Sequence, residues 1–204
     1  MSDYLIQAHK VLTQGKCLCF PTETVYGLGA IATMDEAVKR VYEIKERPLD
    51  KPLSMMVADV DKAHNIAILN KAAVVLAQRF WPGPLTMILP ISKEGKQNLS
   101  KYVNYDGDSI GIRIPSHPVA QAILHVIDIP LIATSANPSG KPPALSSVQV
   151  EAYFKDQMLI VPESEDGAIG VSSTVIDVTT RHVSMVREGN ITMESIDHCI
   201  RWLQ

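Results

Sequence analysis

Apolar positions along the chain recur in two rhythms, one helical and one extended. In residues 3–14, Leu5, Ala8, His9 and Leu12 fall on one helical face, with Tyr4 and Val11 at its edge. Ser2 or Asp3 can cap that helix and Gly15 can end it. Cys17–Phe20 is a short apolar run closed by Pro21, which reads as a buried strand. The helical rhythm returns over Asp35–Lys45, where Ala37, Val38, Val41, Tyr42 and Ile44 gather near one side. It appears again over Lys71–Phe80, which Trp81-Pro82-Gly83-Pro84 must end, because proline supplies no N–H to continue a helix. Pro118–Ile127, with proline in its first turn, Ser147–Phe154 and Met193–Leu203 complete the predicted helices. Strands are expected at Leu53–Ala58, Leu85–Leu89, Ser109–Ile114, Leu131–Thr134, Met158–Val161, Thr174–Val178 and Val183–Val186. Strands and helices alternate irregularly and the late strands come in pairs. That favours an α/β domain with a mixed sheet over a regular doubly wound one. No linker, charge block or repeat divides the 204 residues, so a single domain over 1–204 is expected.

Composition narrows the classes. Apolar residues are 46% and charged ones 20%, enough for a packed core and against global disorder. The net charge of −3 excludes a bulk polyelectrolyte binder, so any nucleic-acid contact must use a local patch. Cys17, Cys19 and Cys199 are too few for a disulfide framework, and Cys17 and Cys19 would share one strand face as small apolar groups. No CxxC and no histidine pair at ligand spacing suggests zinc. No signal pattern opens the chain and no run reaches the roughly 18 apolar residues of a membrane helix. The expectation is a cytoplasmic protein without membrane contact.

The chain has no GxxxxGK[ST], GxSxG or HExxH. Gly27-Leu28-Gly29-Ala30-Ile31-Ala32 fits GxGxx[GA], but six residues separate it from the preceding strand and no helix follows at once. A dinucleotide site there is not favoured. Four polar clusters are more informative, because each lies where a strand or helix ends. Pro21–Gly27 brings Thr22, Glu23 and Thr24 just beyond a buried strand, as either a capped turn or a ligand loop. Lys45, Arg47 and Lys51 are stiffened by Pro48 and Pro52, as either cations at a helix end or a grip for polyphosphate. In Ser109–Ile114, Ser109, Gly111 and Arg113 share a face, as either a solvent-facing edge strand or the holder of a carboxylate. Thr134–Pro143 runs from a short strand into Ser135, Asn137 and a proline-rich loop, as either a turn or a phosphate or base contact.

Taken together these segments resemble the YrdC-like family, the threonylcarbamoyl-AMP synthases. The resemblance is carried by PTETVYGLG at 21–29, KERPLDKP at 45–52, WPGPLT at 81–86, SIGIRIPSHP at 109–118, PLIATSANPSG at 130–140, SSTVIDV at 172–178 and VREG at 186–189. It implies an open, twisted mixed α/β domain with flanking helices and a concave basic cavity, without the C-terminal domain of longer relatives. It implies the reaction of L-threonine, bicarbonate and ATP to threonylcarbamoyl-adenylate and pyrophosphate. A partner transferase would then carry the threonylcarbamoyl group to a tRNA adenosine. Carried over by position, Thr24, Arg113, Ala133 and Ser173 would hold threonine or its carbamate. Arg47, Lys51, Ser109, Ser135 and Arg187 would hold ATP. Lys45 and Asn137 complete the KxR and SxN signature, so that Lys45, Arg47, Ser135 and Asn137 form the expected catalytic set. Met56 stands where longer relatives can carry a histidine near threonine, and Pro143 where they can carry a serine near the nucleotide.

The implied chemistry needs no covalent nucleophile. The carbamate of threonine attacks the α-phosphorus, and the protein positions and neutralises charge. Lys45, Arg47 and Lys51 would meet the phosphates together with Mg²⁺, which arrives with ATP and has no expected protein ligand. Arg113 would clamp the carboxylate. The alternatives are an RNA-binding module of the same fold and a carbamoyl-handling domain acting on another acceptor. The first has only a modest basic patch at 39–51 and few aromatics for base stacking.

Overall fold

The computed structural model describes residues 2–104, 107–163 and 168–203. One nine-stranded sheet runs through them. In chain order its strands are β1 (Leu18–Phe20), β2 (Gly27–Ile31), β3 (Ser54–Met56), β4 (Leu85–Pro90), β5 (Ser109–Arg113), β6 (Leu131–Ser135), β7 (Leu159–Ile160), β8 (Thr174–Asp177) and β9 (Ser184–Arg187). The helices are α1 (Asp3–Thr13), α2 (Asp35–Lys45), α3 (Val60–Ile66), α4 (Lys71–Phe80), α5 (Lys93–Asn98), α6 (Pro118–Ile127), α7 (Ser147–Phe154) and α8 (Met193–Ile200). The strand order is β7-β1-β2-β6-β3-β5-β4-β8-β9. The pairs β1/β7, β3/β5 and β4/β8 are parallel and the remaining pairs antiparallel. The sheet is therefore mixed and open, as the irregular alternation predicts.

Its two faces are covered unequally. Alternate strand residues, among them Met55, Met87, Ile110 and Ile112, point to one face. There they pack against Val38 and Val41 of α2, Leu76 and Ala77 of α4, and Ile196 and Ile200 of α8. On the other face Leu18, Phe20, Ile31 and Leu131 pack against Ala8 and Leu12 of α1 and Ile123, Leu124 and Ile127 of α6. Each such side chain contributes about 1.5–3 kcal/mol by leaving water. This second cluster stops at β3 and β6 and includes no residue of β4, β5 or β8. On that stretch of the sheet the side that α1 and α6 leave uncovered carries Thr86 of β4 and Arg113 of β5 beside the apolar Ile88 and Val175.

Several sequence expectations change. The segment that fits GxGxx[GA] is β2, a buried strand inside the sheet. A side chain at Gly29 would come within 2.8 Å of the Phe20 ring, so the glycine makes room for packing, not for a dinucleotide. The edge-strand reading of Ser109–Ile114 is overturned, because β5 lies between β3 and β4. The short helices α3 and α5 were not expected; both begin with a side-chain cap, Asp59 accepting from Lys62 N–H and Ser92 from Gly95 N–H. The last strand runs Ser184–Arg187, one residue later than expected, which brings Arg187 into it.

Candidate active site

A hollow of about 180 Å³ opens over the uncovered half of the sheet. Thr22 and Thr24 enter it from the β1–β2 loop, Arg47 from the loop after α2, and Ser54, Thr86 and Arg113 from β3, β4 and β5. Ala133 and Ser135 come from β6, Ser172 and Ser173 from the segment before β8, and Arg187 from β9. Among the described residues, the charged ones that line it are Arg47, Arg113 and Arg187, with no carboxylate. Next to the lining residue Ser54, a β-carbon at Gly111 would sit 2.8 Å from Ser54 Oγ, so glycine leaves that hydroxyl its place.

Arg113 is only 5% exposed and is held on three sides. Its Nε donates to Gly83 O at 3.2 Å, its Nη1 to Thr24 Oγ1 at 3.0 Å, and its Nη2 lies 2.7 Å from Glu23 Oε1. Gly83 can come this close because its turn packs on Phe80 O, which a β-carbon would approach to 2.5 Å. The Glu23 contact is an ion pair without hydrogen-bond alignment, and both carboxylate oxygens are buried. A guanidinium has five N–H donors. The Arg113 hydrogen bonds to Gly83 and Thr24 leave one N–H on Nη1 and both on Nη2; a bidentate carboxylate requires one from each.

Across the hollow Arg187 is an exposed residue whose guanidinium is nonetheless anchored. Nε and Nη2 donate to Ser173 O at 3.1 and 2.9 Å, and Nη2 also donates to Ser173 Oγ at 3.0 Å. Ser173 Oγ lies 2.9 Å from Thr86 Oγ1. Partial desolvation, then the charge of Arg113, holds the Arg187 pKa below its usual value.

Lys45 and Arg47 diverge. Between them Glu46 takes a left-handed conformation with φ 51°. Lys45, 2% exposed, turns inward and donates to Ser135 O at 2.5 Å and Asn137 O at 2.6 Å. Its own carbonyl accepts from Ser139 N–H at 2.8 Å. The lysine thus ties α2 to the loop after β6, and Asn137 closes that loop by donating to Pro138 O and Lys141 O. Burial, then the charge of Arg47, lowers the Lys45 pKa to about 8, while the carbonyl acceptors work against that fall. Arg47 faces the hollow and donates to Lys51 O at 3.1 Å and Pro52 O at 2.9 Å, which fixes its own loop. Desolvation, opposed in part by Tyr42, lowers its pKa.

Of the residues expected from the sequence, the structure brings Thr24, Arg47, Arg113, Ala133, Ser135, Ser173 and Arg187 to one hollow. Lys45 and Asn137 stand behind its wall, and Lys51 and Ser109 are not among its lining residues. Ser109 shares a β5 face with Arg113 but lies four residues, roughly 13 Å, along the strand. Met56 lines the hollow. Sequence reasoning passed over Ser54, Thr86 and the pairing of Glu23 with Arg113. Thr86 and Glu23 lie inside motifs already singled out, whereas Ser54 carries no signal beyond its place in a strand. Cys17 and Cys19 are buried, and burial pushes the Cys17 thiol up to about 12 and the Cys19 thiol further, so neither is a nucleophile near neutral pH.

The family profile described as "Telomere recombination", covering Sua5, YciO and YrdC proteins, matches residues 10–189. The chain belongs to the Sua5–YciO–YrdC family. A threonylcarbamoyl-AMP synthase of Pyrococcus abyssi is 38% identical over 190 residues, which is 93% of this chain and 55% of that protein. A threonylcarbamoyl-AMP synthase of Marinobacter nauticus is 35% identical over 181 residues, 86% of this chain and 92% of that protein. The crystal structure of P. abyssi Sua5 complexed with L-threonine superposes with a TM-score of 0.90 at 37% identity, over 96% of this chain and 57% of that one. The chain therefore spans little more than half the length of the archaeal relative and nearly all of the shorter bacterial one. No helix among the described residues is long and apolar enough to cross a membrane.

Proposed function

We propose that this chain is a threonylcarbamoyl-AMP synthase, which joins L-threonine, bicarbonate and ATP and releases pyrophosphate. One observation carries the reading beyond family membership: a single hollow lined, among the described residues, by Arg47, Arg113 and Arg187 and by no carboxylate. Such a hollow suits two anionic ligands held side by side. Arg113 offers one N–H from each terminal nitrogen to the threonine carboxylate. Thr24 and Ser173 orient the amine and the carbamate. Arg47 and Arg187 meet the phosphates and neutralise the charge that grows as pyrophosphate leaves. The carbamate oxygen bonds to the α-phosphorus while the bond to the β-phosphate oxygen breaks, a nucleotidyl transfer that needs no enzyme nucleophile. Lys45 and Asn137 serve this chemistry by holding the Ser135 loop, not by touching phosphate. Among the described residues, the polar side chains that line the hollow are hydroxyls and guanidiniums, a set that does not fit a resident Mg²⁺, and the nearby carboxylate Glu23 faces Arg113. Mg²⁺ enters as the counterion of ATP. The product is a reactive mixed anhydride, which calls for a transferase partner that passes it to tRNA in the cytoplasm.

The test is pyrophosphate release by purified protein with each substrate left out in turn. Release is expected only when threonine, bicarbonate and ATP are all present. Release without threonine would make the chain a general ATPase. RNA binding that falls steeply with salt and ignores both ATP and threonine would instead mark an RNA-binding module.

A further inference from the structure

The hydroxyls behind Arg113 form a chain with only one possible direction. Thr22 Oγ1 lies 2.6 Å from Val25 O, which can only accept, so Thr22 commits its hydrogen there. Thr24 Oγ1 lies 3.0 Å from Thr22 Oγ1, and Thr24 must therefore be the donor in that pair. The Thr24 and Val25 N–H groups also point at the Thr22 oxygen, at the long distances of 3.2 and 3.3 Å; the two share one of its lone pairs and leave the other to the Thr24 hydroxyl. Arg113 Nη1 can only donate, so Thr24 Oγ1 accepts from it at 3.0 Å. A hydroxyl has one hydrogen and two lone pairs. Thr24 reaches the hollow with one lone pair and no hydrogen, beside an arginine that offers only hydrogens.

We propose that Thr22 is a positioning residue that sets this polarity. The hollow then selects a ligand that carries a carboxylate next to a hydrogen-bond donor, the pattern of an α-amino acid, and rejects a 2-oxo acid, whose carbonyl would face the Thr24 lone pair. The proposal deepens the synthase reading and rests on it for the identity of the ligand. With threonine, an amine N–H rests on Thr24 Oγ1. Once the ammonium has released a proton to solvent, that contact leaves the nitrogen lone pair pointing elsewhere, free to attack the bicarbonate carbon; a second amine proton leaves with the bicarbonate hydroxyl as water, and the carbamate remains. Thr22 is 1% exposed and acts through Thr24.

The experiment compares wild type, Thr22→Val and Thr22→Ser. L-2-aminobutyrate and 2-oxobutyrate are used as inhibitors of threonine-dependent pyrophosphate release, and both acids are also titrated directly by calorimetry. In wild type the amino acid is expected to bind at least about tenfold more tightly than the oxo acid, as loss of a matched hydrogen bond against an unsatisfied acceptor implies. Thr22→Val frees the Thr24 hydrogen. It should raise the threonine KM about tenfold with the ATP KM nearly unchanged, and should largely erase the preference. Thr22→Ser keeps the hydroxyl and should keep the preference. Equal binding of the two acids by wild type overturns the proposal even if Thr22→Val does not fold, and so does an unchanged preference in a folded Thr22→Val. Should pyrophosphate release prove independent of threonine, the synthase reading fails, while the calorimetric preference still decides the role of Thr22.

Discussion

Two cations of this fold, Arg113 and Lys45, are both nearly buried, yet they are put to opposite uses. Around Arg113 the backbone and side chains of three segments hold the cation at the lining of the hollow. At Lys45 the cation holds the backbone, because Nζ is taken up by the carbonyls of Ser135 and Asn137. A charge fixed by its surroundings is ready to bind a ligand. A charge that fixes its surroundings is a fastener. Arg47, two residues beyond Lys45, belongs with Arg113 in facing the hollow, and the left-handed turn at Glu46 separates the two roles.

The sharpest way to break this contrast is Arg113→Ala. It leaves the Glu23 carboxylate buried and unpaired, and should cost about 3–5 kcal/mol of stability in chemical denaturation. Pyrophosphate release should fall below detection. Next in size, Lys45→Met orphans the carbonyls of Ser135 and Asn137, worth roughly 1–3 kcal/mol. That loss should appear as a lower melting temperature, at about 2–4 °C per kcal/mol for a chain of this size. Its pH dependence has a defined sign. Between about pH 8 and the ordinary lysine value of 10.5, the unfolded chain keeps a proton that the folded chain has released. Wild-type stability should therefore gain on Lys45→Met as pH rises through that window.

Arg47→Ala should fold with little loss and weaken ATP binding about tenfold or more, near 1.4 kcal/mol per tenfold. Its effect on threonine should be small, and separate titrations of the two ligands would show the split. Two still smaller effects complete the series. Lys51→Ala should leave turnover within about twofold, because the residue is exposed and outside the hollow. Glu46→Gly relieves a left-handed non-glycine and should alter stability by under about 1 kcal/mol, in the stabilising direction.

The contrast also explains what could be read from the residues. Helices with a continuous apolar stripe, such as Asp35–Lys45 and Pro118–Ile127, were legible because burial dictates their pattern. The strand Gly27–Ile31 was not, because its glycines are required by the Phe20 ring, a contact made across β1 and β2. Lys93–Asn98 has hardly any apolar residue and shows itself only through its Ser92 cap. At the site, motif resemblance found the segments that meet, and Thr24, Arg47, Arg113, Ser135, Ser173 and Arg187 do share one hollow. It could not tell, among Lys45, Arg47 and Lys51, which side chain lines the hollow and which is taken up by backbone carbonyls. That depends on which way each side chain leaves the turn, and the turn is set by tertiary contacts with the loop after β6.

The most direct test of the central claim is a pair of calorimetric titrations, L-threonine and ATP, on wild type and on Arg47→Ala. The account predicts that the variant keeps its threonine affinity within about threefold while its ATP affinity falls at least tenfold, since Arg113 holds one ligand and Arg47 the other. An equal fall in both affinities, or a loss confined to threonine, would contradict it.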